Sequence, residues 1–152
     1  MAHPRWIRSF LAPEDLDALA AAIAAAEMTT SAEIRLHLER RLPRSANGDA
    51  LPRAREVFVG LGMDRTAGRN GVLLYLALED HRLAVVGDEA VHARVGDDYW
   101  RHVRDVMVER LRAGRPRDAL LDAIRDVGAV LARHFPRERG DTNELTDAVS
   151  VE

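Results

Sequence analysis

The chain has 152 residues, 47% apolar and 31% charged, with a formal net charge of −3; this is the size and balance of one globular domain with no general attraction to polyanions, so nucleic acid and anionic membrane are poor partners and no nucleic-acid partner is expected. There is no cysteine, and all 22 basic residues are arginine. Thiol nucleophiles, disulfides, cysteine metal sites, Schiff-base chemistry and the P-loop lysine are therefore excluded.

Residues 1–12 read as an N-terminal arm with Trp6, Ile7, Phe10 and Leu11 available to pack, and residues 13–152 as a single domain. Pro13-Glu14-Asp15 has the composition of a helix start, and Leu16, Leu19 and Ile23 follow at helical spacing. From Ser31 to Arg40 the pattern alternates. Ile34, Leu36 and Leu38 form one face of a strand, and Glu33, Arg35, His37 and Glu39 form the other. That second face is expected to be polar, with His37 solvated or paired to a neighbour. Pro43 to Asp49 is a turn-rich loop. A helix is expected from Ala50, ended by Gly60 and Gly62.

The central stretch is Gly68 to Glu89. Val72–Leu78 and Leu83–Val86 are apolar runs separated by Glu79-Asp80-His81-Arg82, which reads as a hairpin of two strands. Strand, helix and strand from Ser31 to Leu78 form a right-handed parallel crossover. The hairpin then returns the chain to its starting level, so Thr30, Ser31 and Glu33 share one rim with Asp64 to Asn70 and Asp88-Glu89. Two more helices are expected, one capped by Asp97 or Asp98 and carrying Trp100, Val103, Met107 and Leu111, the other running from Pro116 to about His134. Val149-Ser150-Val151 is a candidate edge strand or docked tail. No span approaches the ~20 apolar residues of a transmembrane helix, and the N-terminus lacks the pattern of a signal peptide, so a soluble, cytoplasmic protein without membrane insertion is expected.

Asp64, Asp88, Glu89, Asp97 and Asp98 supply hard oxygen ligands, with Thr66 and Asn70 as neutral ones, a set suited to Ca²⁺ or Mg²⁺. It is not an EF-hand. Arg69 can hold a phosphate or pair with Asp88. His92, following the acidic corner, is the histidine placed for proton transfer or phosphate contact. The Gly60–Arg65 segment fails the GxGxxG pattern, no Walker or GxSxG sequence is present, and Asp64-Arg65-Thr66 lacks the second aspartate of a DxDxT loop. A hydrolase built here needs a metal to generate its nucleophile.

Ser31-Ala32-Glu33-Ile34, Asn70-Gly71-Val72-Leu73-Leu74, the strand from Arg82 to Gly87 and Asn143-Glu144-Leu145-Thr146-Asp147 together resemble the TPM domain family from about Ala12 to Glu152. The resemblance implies a three-layer α/β/α sandwich around a mixed β-sheet, with Ca²⁺ binding or acid-phosphatase-like activity attributed to different members. Carried onto this chain, the family's acidic rim corresponds to Asp64, Asn70, Asp88 and Glu89. The chain departs from the family pattern after Gly87, where Asp88-Glu89-Ala90-Val91-His92 replaces a glycine-rich continuation.

Three functional expectations follow. The first is a divalent cation, Ca²⁺ before Mg²⁺, held at Asp64, Asn70, Asp88 and Glu89 for binding or assembly. The second is metal-assisted phosphomonoester hydrolysis, with Arg69 and His92 as phosphate-binding residues and no catalytic nucleophile identified. The third is an ion-independent domain that binds a protein partner.

Overall fold

A computed structural model describes residues 3–137 and 149–152. The first strand, β1 (Glu33–Glu39), follows helix α1 (Pro13–Glu27) and leads into α2 (Ala50–Gly60). The hairpin strands β2 (Gly71–Ala77) and β3 (Arg82–Gly87) come next. Helices α3 (Glu89–Val95), α4 (Asp97–Arg112) and α5 (Pro116–His134) follow, and β4 (Val149–Val151) closes the described chain.

The sheet order is β3-β2-β1-β4. β1 is parallel to both β2 and β4, and β2 is antiparallel to β3. The sheet is therefore mixed, as the crossover and hairpin demand. Glu33 lies opposite Gly71 in the β1/β2 register, and the Asp88 N–H donates to the Gly71 carbonyl at 2.9 Å. These two pairings bring the starts of β1 and β2 and the end of β3 to one rim, as expected from the sequence.

Side chains divide by strand parity into two cores. On one face Ile34, Leu36, Leu38, Val72, Leu74, Leu76, Leu83 and Val85 pack with apolar residues of α1, α4 and α5. On the other, Leu73, Tyr75, Ala77 and Ala84 pack against Ala50, Ala54, Val57 and Phe58 of α2. Helices on both faces make the α/β/α sandwich. The arm turns through a 3-10 helix (Arg5–Ser9), and its anchors are Ile7 and Leu11, each 1% exposed, with Trp6 and Phe10 half-buried against the same core.

Local chemistry fixes the helix starts. Pro13 occupies the first turn of α1, and the Asp15 carboxylate accepts from the Ala12 N–H at 2.9 Å. Asp49 caps α2 by accepting from the Leu51 N–H at 3.1 Å.

Two sequence expectations change, and one open alternative is decided. The polar face of β1 is not solvated: Glu33, Arg35, His37 and Glu39 are all buried. The reason is topological, because a strand with parallel neighbours on both sides has neither face open to water. Asp88 is not simply a loop acid, since it caps the short helix α3, which the sequence reading omitted. Of the two alternatives for the tail, the strand is the one formed, Leu36–Leu38 pairing with Val149–Val151. The Asn143–Asp147 motif lies outside the described residues.

Candidate functional site

After α2, Gly62 adopts φ +75° and turns the chain into a 3-10 helix at Met63–Arg65 that carries Asp64. The loop then reaches Arg69, whose φ of +48° is left-handed, and enters β2 through Asn70. The Arg69 carbonyl accepts from the Ala90 N–H at 3.1 Å, tying this loop to the first turn of α3.

Thr66, Asn70 and Asp88 are buried at the rim. The Asn70 amide nitrogen donates to the Ser31 hydroxyl at 3.4 Å, so the β1 end of the rim joins the loop. The Arg69 guanidinium spans the acidic side. Its Nε and Nη2 donate to Asp88 Oδ2 and Oδ1 at 3.0 and 3.2 Å, and Nη2 lies 3.3 Å from Glu89 Oε2. Hydrogen bonding to Asp88, then the charges of Asp88, Glu89 and Asp64, hold the Arg69 guanidinium above its ordinary pKa.

Two oxygens at this rim are out of balance. Asp64 Oδ1 and Thr66 Oγ1 are buried without a hydrogen-bond partner among the described residues. Buried polar atoms are normally satisfied, and an unsatisfied one costs about 1–3 kcal/mol. Oxygens of this type, like those of Asn70 and Asp88 on the same rim, are the kind that hard cations take as ligands. Glu89 is largely exposed and joins only through Arg69. His92 stands apart on α3, its Nδ1 3.6 Å from Asp97 Oδ1, and Asp98 is fully exposed. Arg69 is paired with two carboxylates, Asp88 and Glu89.

A second polar cluster lies beneath the sheet. The buried His37 ring stacks on Tyr75 at a centroid distance of 6.0 Å. Its Nδ1 is 2.6 Å from Ser150 Oγ of β4, and its Nε2 is 3.4 Å from Glu39 Oε1 and 3.8 Å from Glu152 Oε2. A ring carrying its proton on Nε2 donates to Glu39 and accepts the Ser150 hydroxyl, satisfying both. The Tyr75 hydroxyl donates to Glu39 Oε2 at 2.5 Å, and Arg53 of α2 makes paired hydrogen bonds to Glu39 while reaching Glu152 at 2.8 Å. Burial alone would push the Glu39 carboxyl up, but hydrogen bonds from His37, Arg53 and Tyr75 hold it well below the usual carboxylate range.

Among the described residues, His37, Glu39 and Glu152 form the one group of three or more His, Asp or Glu side chains whose ligand atoms all lie within 4.8 Å of one another. Arg53 already supplies the positive charge there. The cluster therefore reads as an internal ion-pair network that fastens β4 and α2 to the sheet. Sequence reasoning missed Arg53, Tyr75 and Glu152. The available signal was Tyr75, a polar-tipped residue within an apolar strand and opposite His37 in the parallel register.

A third group joins α1 to β1. Glu27 Oε2 accepts from the Ile34 N–H at 3.0 Å, and both Glu27 and Glu33 are buried. Burial, followed by the hydrogen bond to Glu33, pushes the Glu27 carboxyl up to about 8.

A mixed four-stranded sheet between helical layers, with an acidic loop rim at the ends of β1, β2 and β3, defines an α/β/α sandwich domain. The TPM domain model matches residues 8–130, and the chain belongs to that family. Among solved structures it is similar to the BA42 protein of the psychrophilic bacterium Bizionia argentinensis, at 37% identity and a TM-score of 0.83, covering 94% of this chain and 96% of that one. The N-terminal domain of the cg2496 protein from Corynebacterium glutamicum shares the fold at 14% identity and a TM-score of 0.61, covering 86% of this chain and 85% of that domain. No curated protein matches. Among the described residues, no helix is long and apolar enough to cross a membrane.

Proposed function

We propose that the protein is a divalent-cation-binding TPM domain, with Ca²⁺ as the preferred ion, whose ligands are Asp64, Thr66, Asn70 and Asp88 and whose role is binding or assembly. The observation that carries this reading is the pair of buried, unpartnered oxygens, Asp64 Oδ1 and Thr66 Oγ1, at a rim that also holds Asn70 and Asp88. Glu89 contributes charge at the outer edge. In the ion-free state Arg69 neutralises Asp88 and Glu89 as an internal substitute cation. Its side chain is 47% exposed, which leaves it free to swing into solvent when an ion arrives.

The test is the thermal midpoint of the purified protein in chelator, in Ca²⁺ and in Mg²⁺. An ion at ~100 times its dissociation constant adds about 2.7 kcal/mol, and each kcal/mol raises the midpoint by about 2–4 °C for a domain this size. Ca²⁺ is expected to produce the larger shift, and Asp64→Asn to abolish most of it. No shift with either ion refutes the assignment.

A further inference from the structure

Among the described residues β3 is an edge strand, and its open side forms the floor of a groove of about 810 Å³ between α2 and α4. The Asp88 N–H bond to the Gly71 carbonyl sets the phase of the antiparallel ladder, so Arg82, Ala84 and Val86 bond to β2. The N–H and C=O groups of Leu83, Val85 and Gly87 consequently point to the open edge. Such an edge is a template for one more strand.

The groove walls are cationic. On the α4 side Arg101, Arg104 and Arg112 lie on one helical stripe with Val108, spanning about 16 Å at 1.5 Å per residue. That length is close to the ~20 Å of a six-residue strand. Arg55 of α2 and Arg82 of β3 supply positive charge on the opposite wall. Among the described residues, Arg55, Arg82, Arg104 and Arg112 have no ion-pair partner, and Arg101 has only the exposed, weak pair with Asp98 at 3.1 Å. The bordering acids are already engaged. Asp49 caps α2, Glu89 faces Arg69, and Asp97 faces His92. A concentration of unpaired arginines is unexpected in a chain of net charge −3.

Trp100 closes one end. It is 8% exposed, its indole Nε1–H has no acceptor among the described residues, and its ring lies so close to Gly87 that an added Cβ would sit 2.9 Å from Cζ2. The glycine thus lets the ring cover the end of β3 while leaving a donor unused.

We infer that this groove binds an acidic peptide segment of a partner protein in extended form, as an added fifth strand on β3. The free backbone groups require a peptide backbone, and the arginines on both walls require carboxylates on both faces of the incoming strand. A second copy of this chain is disfavoured, because pairing two β3 edges would bring two arginine-lined walls together. Cation binding at the rim is not needed, so the test is run in chelator.

A labelled peptide of about ten residues repeating Glu-Glu-Thr-Thr, which places carboxylates on both faces of a strand and is long enough to run the length of β3 at ~3.4 Å per residue, is titrated with the full chain by fluorescence anisotropy. Saturable binding that weakens with salt is expected. The triple variant Arg101→Glu, Arg104→Glu, Arg112→Glu, at three exposed positions that leave the core intact, is expected to bind about tenfold more weakly or worse while keeping its thermal midpoint. Methylating one alternate set of backbone nitrogens in the peptide should abolish binding, and methylating the other should not. The inference is overturned by no saturable binding, by equal affinity for a Lys-Thr peptide, by unchanged affinity in the triple variant, or by full binding of both methylated peptides. Tighter binding of an oligouridylate or of phosphatidylglycerol vesicles than of the peptide would also overturn it.

Discussion

Replacing Glu27 by Gln should make the protein more stable in alkali and leave it nearly unchanged in mild acid. The carboxyl sits at the α1/β1 junction beside Glu33, and its pKa is raised from an ordinary 4.5 to about 8, first by burial and then by the Glu33 hydrogen bond. The folded state therefore holds a proton that the unfolded chain releases. Stability from this group is complete below about pH 4.5 and is lost as pH rises toward about 8. One such proton changes stability by at most about 1.36 kcal/mol per pH unit, or roughly 3–5 °C in thermal midpoint for a domain of this size. Gln keeps an oxygen for the Ile34 N–H and a donor for Glu33, and it cannot ionise. The assay is the thermal midpoint of both proteins from about pH 5 to about pH 9. The wild-type curve should fall below the variant's on the alkaline side. Parallel curves would refute the shared-proton account.

Arg53→Met should lower the urea midpoint by the equivalent of about 3 kcal/mol, because it leaves the Glu39 carboxylate buried without its cation. Gly128→Ala should destabilise by about 1 kcal/mol or more in the same measurement, since the added Cβ would lie 2.9 Å from Ala26 Cβ of α1. At Gly60 the space is open, and the identical change should stabilise by up to about 1 kcal/mol through helix propensity. Arg69→Asn, which tolerates the left-handed backbone, should tighten Ca²⁺ binding in a calorimetric titration by removing the competing guanidinium.

The sandwich and its strand order up to β3 were readable because parity, loop lengths and crossover handedness act locally or obey strict topological rules. The rim was readable for the same reason: once Gly71 pairs with Glu33 on one side and Asp88 on the other, distant acids must converge. What could not be read was the state of each acid after convergence. Asp88 pairs with Arg69 and caps α3, a division of its oxygens that depends on side-chain geometry. The charged face of β1 was misread because alternation alone cannot distinguish water from a buried partner. His37 faces Ser150, and Glu39 faces Arg53 and Tyr75, contacts spanning up to 113 residues that no local pattern encodes.

The alternating polar face of β1 also bears on the order in which the chain is made. β1 leaves the ribosome early, yet its β4 neighbour is synthesised about 110 residues later, roughly 6–20 s at translation rates of ~5–20 residues per second. During that interval a strand with two apolar faces would be a hazard on a crowded polysome. Glu33, Arg35, His37 and Glu39 keep one side of the nascent segment hydrated until Arg53, Tyr75 and finally Ser150 arrive to replace the water.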